Sequence, residues 1–196
     1  MKTIHCLLIA LLCVAACVPV QAGPKSDARL VRRAVQAIQQ APVPPCAAGV
    51  AYSRELRFNW IPFLPPLGAF AKAGRGVAFD REQTGQLSNP RFVRNIGGGV
   101  TATIGVGVPW SIGTTERVIA FRSRADTHAW ATNTYIGGHL TPYVAAGVPG
   151  KLWAYSLIPA FDERPGTEVW RRERFVGLFA SAGVSAGVDV QYPQTK

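Results

Sequence analysis

The sequence predicts a mainly β protein, a compact small barrel or sandwich carrying one N-terminal amphipathic helix. Three observations predict it. The 196 residues include 20 Gly and 15 Pro but a single Met, which suits strands and turns better than helical bundles. From Gly74 onward, Gly-rich stretches alternate small with β-branched residues at period two, the pattern of strands. Only one segment has a clear helical period. A hydrophobic content of 48 % with 16 % charged residues supports a packed core and excludes wholesale disorder.

The helical segment runs from Ser26, placed to cap, to Gln40. Leu30, Ala34 and Ile38 line one face with Val31 and Val35, while Arg29, Arg32 and Arg33 occupy the rest. Ala41-Pro42-Val43-Pro44-Pro45 ends it. The arginine face fits a helix packed on the domain with solvated cations, or a helix on a membrane surface. Residues 58–70 are apolar, aromatic and broken by prolines, so regular helix cannot run through them. A buried loop or edge strand is expected there, with an exposed bilayer-dipping loop as the alternative.

The β pattern begins with Gly74–Phe79, followed by a polar turn through Asp80 to Gly85. Phe92–Ile96 leads into Gly97–Val108, where glycines alternate along one face and leave space for something to lie close. Further strands are expected at Arg117–Arg122, Tyr135–Gly147, Leu152–Ile158 and Phe175–Val190, with a short helix over Ser123–Trp130. Pro159–Glu173 reads as a long charged loop. Strands this few and short, with a polar C-terminus, do not predict a transmembrane barrel.

Residues 1–22 read as an export signal: Lys2, an apolar run from Ile4 to Val18, and small residues at Val20 and Ala22 before cleavage ahead of Gly23. The run is about 15 residues, short of the ~20 that span a membrane as helix. Val14-Ala15-Ala16-Cys17 also resembles a lipobox, with Cys17 as the lipidated residue, so a soluble periplasmic or secreted protein and a membrane-anchored lipoprotein both stay open. Residues 23–45 then form the helix and a Pro-rich linker, and 46–196 the β domain. Export removes Lys2 and three of four cysteines, leaving Cys46 alone, so no intrachain disulfide is expected. The net charge of +10 becomes +9, carried mostly by arginine. Outside the cytoplasm that surplus points to anionic envelope components and not to nucleic acid.

Four stretches, Gly74-Arg75-Gly76-Val77, Gly97–Gly107, Val144-Ala145-Ala146-Gly147 and Gly177–Ser185, resemble in order and spacing the SYLF domain family over residues 72–190. The resemblance implies a small, mainly β fold that binds lipid, helped in eukaryotic members by a basic amphipathic helix, with bacterial relatives exported. Two departures stand out: the Pro- and aromatic-rich Phe58–Ala71 replaces the family's glycine run, and the Pro159–Glu173 segment is long.

No HExxH, CxxC, GxSxG or GxxxxGK[ST] pattern is present, so neither a metal nor another cofactor is expected. Asp126-Thr127-His128, or Cys46 with His139, carries no catalytic geometry in sequence alone, and the expected protein is not an enzyme. Arginines interleaved with aromatics are the candidates: Arg54 and Arg57 before Trp60, Arg91 and Arg94 around Phe92, Arg171 and Arg174 between Trp170 and Phe175. Such pairs suit headgroup binding with rings at the bilayer boundary. The plainer reading pairs the arginines with Glu168 and Glu173. With Arg29, Arg32 and Arg33, these residues form the expected lipid site. The expected partner is an anionic lipid or membrane surface. A docking protein in the envelope and an uncharacterised hydrolase are the alternatives.

Overall fold

A computed structural model of the chain describes residues 23–60, 67–107, 110–148, 151–152, 158–161, 164–176 and 179–194. Cys17 and Ala22, and Phe63 within the 58–70 stretch, lie outside them. The order is α1 (Pro24–Gln40), β1 (Gly49–Trp60), β2 (Leu67–Arg81), β3 (Leu87–Gly107), β4 (Trp110–Phe121), α2 (Arg124–Thr132), β5 (Tyr135–Val148), β6 (Lys151–Leu152), β7 (Ile158–Phe161), β8 (Thr167–Val176) and β9 (Phe179–Pro193). This is the mainly β chain with an N-terminal helix that the sequence predicts.

All nine strands join one antiparallel sheet, in the order β6-β5-β9-β3-β2-β1-β4-β8, with β7 also on β5. The sheet curls as a half-barrel, and short β6 comes into contact with β8, the strand at the opposite edge. Sequence order is broken twice: β4 returns to the free edge of β1, and β9 inserts between β3 and β5.

The expectation of few, short strands is overturned. β3 runs unbroken for 21 residues and β2 and β9 for 15 each. Its glycines do not interrupt β3 because their missing side chains are replaced by neighbours. A Cβ on Gly97 would fall 2.2 Å from Asp189 Oδ1, and one on Gly99 would fall 2.1 Å from the Ala186 carbonyl and 2.7 Å from the Phe70 ring. What lies close to the glycine face is the chain's own Lys72–Asp189 pair and Phe70. The charged segment expected as a loop over Pro159–Glu173 instead contributes β7 and most of β8, whose side chains alternate as strands do. Residues 58–60 end β1 and 67–70 begin β2, so the described ends of the proline-broken stretch are strand.

One end of the sheet is held between two helices. Leu30, Ala34 and Ala37 of α1 pack on Val50, Tyr52, Val77, Phe79 and Val118. On the opposite face, Trp130 and Ala131 of α2 pack on Ala51, Ala78, Val93 and Phe121, with the Phe121 and Trp130 rings 6.0 Å apart. Helix α1 starts two residues before Ser26, with Gly23 as N-cap and Pro24 opening it. Ser26 does not cap: its hydroxyl accepts from Arg75 Nη1 at 2.6 Å. The helix stops at Ala41, which takes the extended backbone required before Pro42. Ser123 caps α2, its Oγ accepting from the Asp126 N–H at 3.0 Å.

The β2–β3 turn uses Gly85 at φ +85°, where a side chain would be strained. Beyond it β3 bulges at Asn89, whose φ of 52° is tolerated by asparagine, and whose Nδ2 donates to Asp80 Oδ2 at 2.9 Å.

Candidate functional site

Strand register sorts the described strand residues between the two faces of the sheet. Tyr52, Val77 and Val118 lie under α1, on the side called outer here; Ala51, Ala78 and Val93 lie under α2, on the inner one. Beyond the helices, the two faces have opposite chemistry from what a water-soluble sheet carries.

The outer face is apolar. Leu56, Ala73, Ile96 and Val190 sit side by side, then Trp60, Ala69, Val100 and Ala186, then Leu67, Ala102 and Val184, then Ile104 and Ala182. Ile112, Trp110, Ile136, Leu140, Val106 and Val188 extend the band over β4, β5, β3 and β9. Most of these side chains are open, Ile104 being 82 % exposed and Val100 59 %, while Ala69 is buried. Isolated surface hydrophobes are ordinary, but a contiguous band over six strands is not.

The inner face is mostly polar or small, and much of it is buried. Thr101, next to Val100, is 2 % exposed and its partner Ser185 is fully buried. Lys72 Nζ donates to Asp189 Oδ2 at 2.7 Å and stands 3.7 Å from Glu55 Oε2, which also faces Arg117 at 3.8 Å. Asn95 Nδ2 donates to Glu55, and Gln191 Nε2 donates to the Trp130 carbonyl, tying α2 to β9. The charges inside are mutually paired, which is what permits their burial.

Between the helix-covered end and the apolar band runs one row of polar side chains on the outer face: Arg172, Glu116, Arg54, Arg75, Arg94 and Tyr192, on β8, β4, β1, β2, β3 and β9. Helix α1 lies along this row and is pinned at both ends. Near its start, Ser26 and Asp27 bind Arg75, which also donates to Gln194 Oε1. At its end, Gln40 Oε1 accepts from Arg172 Nη2 at 3.2 Å. The Arg172 guanidinium stands over the Trp170 ring at 5.1 Å. Tyr52 donates to Glu116 Oε1 at 2.7 Å; burial first, and then the Glu116 carboxylate, push its hydroxyl pKa well above the ordinary tyrosine value.

The sequence-predicted residues divide sharply. Arg54 and Arg94 fall in the row, Arg174 lies exposed one step beyond it, and Trp60 is on the apolar band beside Trp110. Arg29, Arg32 and Arg33 are exposed on α1, whose apolar side is spent on the sheet, so the helix is packed on the domain with its arginine face outward. The other three face inward. Arg57 donates to Asn59 Oδ1 at 2.6 Å and stacks over Phe70 at 4.1 Å. Arg91 grips Asp80 with two hydrogen bonds of 2.9 and 2.8 Å, which first among several causes hold that carboxyl below its usual range. Arg171 binds Glu168 through Nε and Nη2 and faces Glu173 at 3.6 Å, the plainer pairing the sequence allowed. These pairings withdraw Arg57, Arg91 and Arg171 from an outward lipid-facing surface.

The sequence did not single out Arg75 or Arg172 as site residues, and it missed the apolar band itself. The signal lies in Gly97–Val108, where the side opposite Gly97 and Gly99 carries Val100, Ile104 and Val106.

Among the described residues, the candidates for catalysis named from the sequence are placed as follows. Thr127 is buried and donates to the Ser123 carbonyl, His128 is exposed on α2, Cys46 is exposed, and no three metal-ligating side chains cluster. The His139 side chain lies outside the described ones. No helix among the described residues is long and apolar enough to cross a membrane. No family model, curated protein or solved structure matches the chain.

Proposed function

We propose that the chain is an exported, non-catalytic envelope protein that binds anionic phospholipid. One observation carries this reading: the reversal of polarity, with an open apolar band outside and paired charges within. Water penalises that arrangement at about 25 cal/mol for each Å² of apolar surface left open, and acyl chains remove the penalty. The exposed Arg29, Arg32, Arg33 and Arg174 then stand where phosphates would be, next to the band. The SYLF resemblance points the same way. Relative to the sequence expectation, the contact surface shifts from inward-facing Arg57, Arg91 and Arg171 to the outer face of the sheet.

Flotation of the exported protein with vesicles tests it. Vesicles containing phosphatidylglycerol should carry the protein to the top of the gradient at low salt, and purely zwitterionic vesicles should carry less. Absence of binding to anionic vesicles at low salt would overturn the reading. Binding to a co-purified envelope protein in its place would favour a docking role.

A further inference from the structure

We propose that the apolar side of the sheet crosses the hydrocarbon layer of the bilayer as a wall, rather than resting on one leaflet; this rests on the lipid-binding reading above. The apolar band is as tall as the hydrocarbon layer. On β3 the outward apolar positions run without a polar residue from Ile96 to Val106. Ten steps at about 3.3 Å cover ~33 Å of strand, and a tilt of about 40° brings this to ~25 Å. A membrane barrel's apolar band is about 25 Å tall. On neighbouring β9 the outward positions Val190, Val188, Ala186, Val184 and Ala182 match this stretch in register.

Behind the band stand paired charges and hydroxyls. A sheet lying flat on a leaflet has no need of a polar reverse side buried against itself. Here Lys72 pairs with Asp189, Glu55 with Lys72 and Arg117, and Thr101 lies opposite Ser185, all level with the band. Apolar outside and polar inside, alternating residue by residue, is the pattern of a strand wall between lipid and an interior.

The row from Arg172 to Tyr192 closes the band at one end, and α1 lies along it with Arg29, Arg32 and Arg33 exposed. An amphipathic helix with a cationic outer side fits the headgroup layer at the foot of such a wall. Hydrocarbon does not tolerate an open sheet edge. The two edges already approach each other through β6 and β8, so pairing between them completes the enclosure on insertion.

Depth-resolved quenching tests this. Single cysteines replace Ile96, Val100, Ala102 or Val106 in a Cys46→Ser background, each is labelled with a small fluorophore, and the exported protein is bound to phosphatidylglycerol-containing vesicles carrying lipid brominated at shallow or deep acyl positions. All four positions are outward, so the exchange leaves the packed face intact. Deep bromine should quench Val100→Cys and Ala102→Cys most, shallow bromine should quench Ile96→Cys and Val106→Cys most, and label on native Cys46 should escape both. A depth that increases steadily from Ile96 to Val106 would overturn crossing in favour of insertion into one leaflet. Bound protein with no quenching at any position would overturn it in favour of purely electrostatic binding. Failure to bind the vesicles would overturn the lipid-binding reading and this inference with it.

Discussion

Adding one methyl group to Gly99 is expected to harm this protein more than stripping much of the apolar surface from Ile104. The Gly99→Ala Cβ would lie 2.1 Å from the Ala186 carbonyl oxygen, 2.6 Å from Gly187 Cα and 2.7 Å from the Phe70 ring. Two of those three atoms are backbone of β9, paired with β3 at this point, so no rotamer change relieves the clash. The strands must part by about 1 Å to restore ordinary contact. Overpacking alone costs about 1–3 kcal/mol, and each ladder hydrogen bond weakened adds about 1 kcal/mol. A loss of about 3 kcal/mol follows, a large share of the 5–15 kcal/mol typical of a domain. Ile104→Thr keeps the β-branch at a site that is 82 % exposed and should change stability in water by no more than about 0.5 kcal/mol. Urea denaturation in vesicle-free buffer, followed by tryptophan fluorescence, compares the two midpoints. Equal midpoints for Gly99→Ala and the parent protein would refute the assignment of the glycine side as the packed interior.

Four further outcomes follow from the same geometry. Val100→Lys should be nearly neutral in water yet lower vesicle partitioning by about 2–4 kcal/mol, read by flotation. Exchanging Arg29, Arg32 and Arg33 for Gln should weaken binding to anionic vesicles by about 1 kcal/mol per residue at low salt, an effect that fades as salt is raised. Arg75→Gln removes the partner of Asp27 and Ser26 and should loosen the start of α1, seen as faster proteolysis near Arg29 and a stability loss of about 2 kcal/mol. The Asp80 carboxyl is held below its unfolded value, so its contribution is complete above about pH 4 and drains away as pH falls through the lower folded value. Arg91→Gln should flatten that acid limb of a pH–stability curve.

The sequence made the class of fold legible because period-two alternation and a single helical segment are local signals. It identified Ser123 as the start of α2 and strand near Tyr135–Gly147 for the same reason. It underestimated strand length because glycine runs look like breaks until a partner fills them, and Lys72, Asp189 and Phe70 are distant in sequence from Gly97 and Gly99. The return of β4 to β1 and the insertion of β9 beside β3 leave no local mark either. For the site, Arg54, Arg94 and Trp60, which face outward, were legible as candidates, yet Arg57, Arg91 and Arg171 could not be told from them. Whether an arginine faces outward or inward depends on register, and one residue of register exchanges the faces. Arg75 and Arg172 join the row only once β2 and β8 are placed.

The central claim is that the outer face of the sheet meets acyl chains, and two native tryptophans on that face report on it directly. Trp60 and Trp110 lie opposite each other on β1 and β4, 41 % and 45 % exposed, so lipid can reach both rings. Tryptophan emission is to be recorded on vesicles of acyl-brominated anionic phospholipid, for the parent chain and for the Trp60→Phe, Trp110→Phe double variant. Strong quenching in the parent that falls sharply in the double variant, while both proteins still float with the vesicles, is the result expected. Equal quenching in the two proteins, or none in a parent that floats, would contradict the claim.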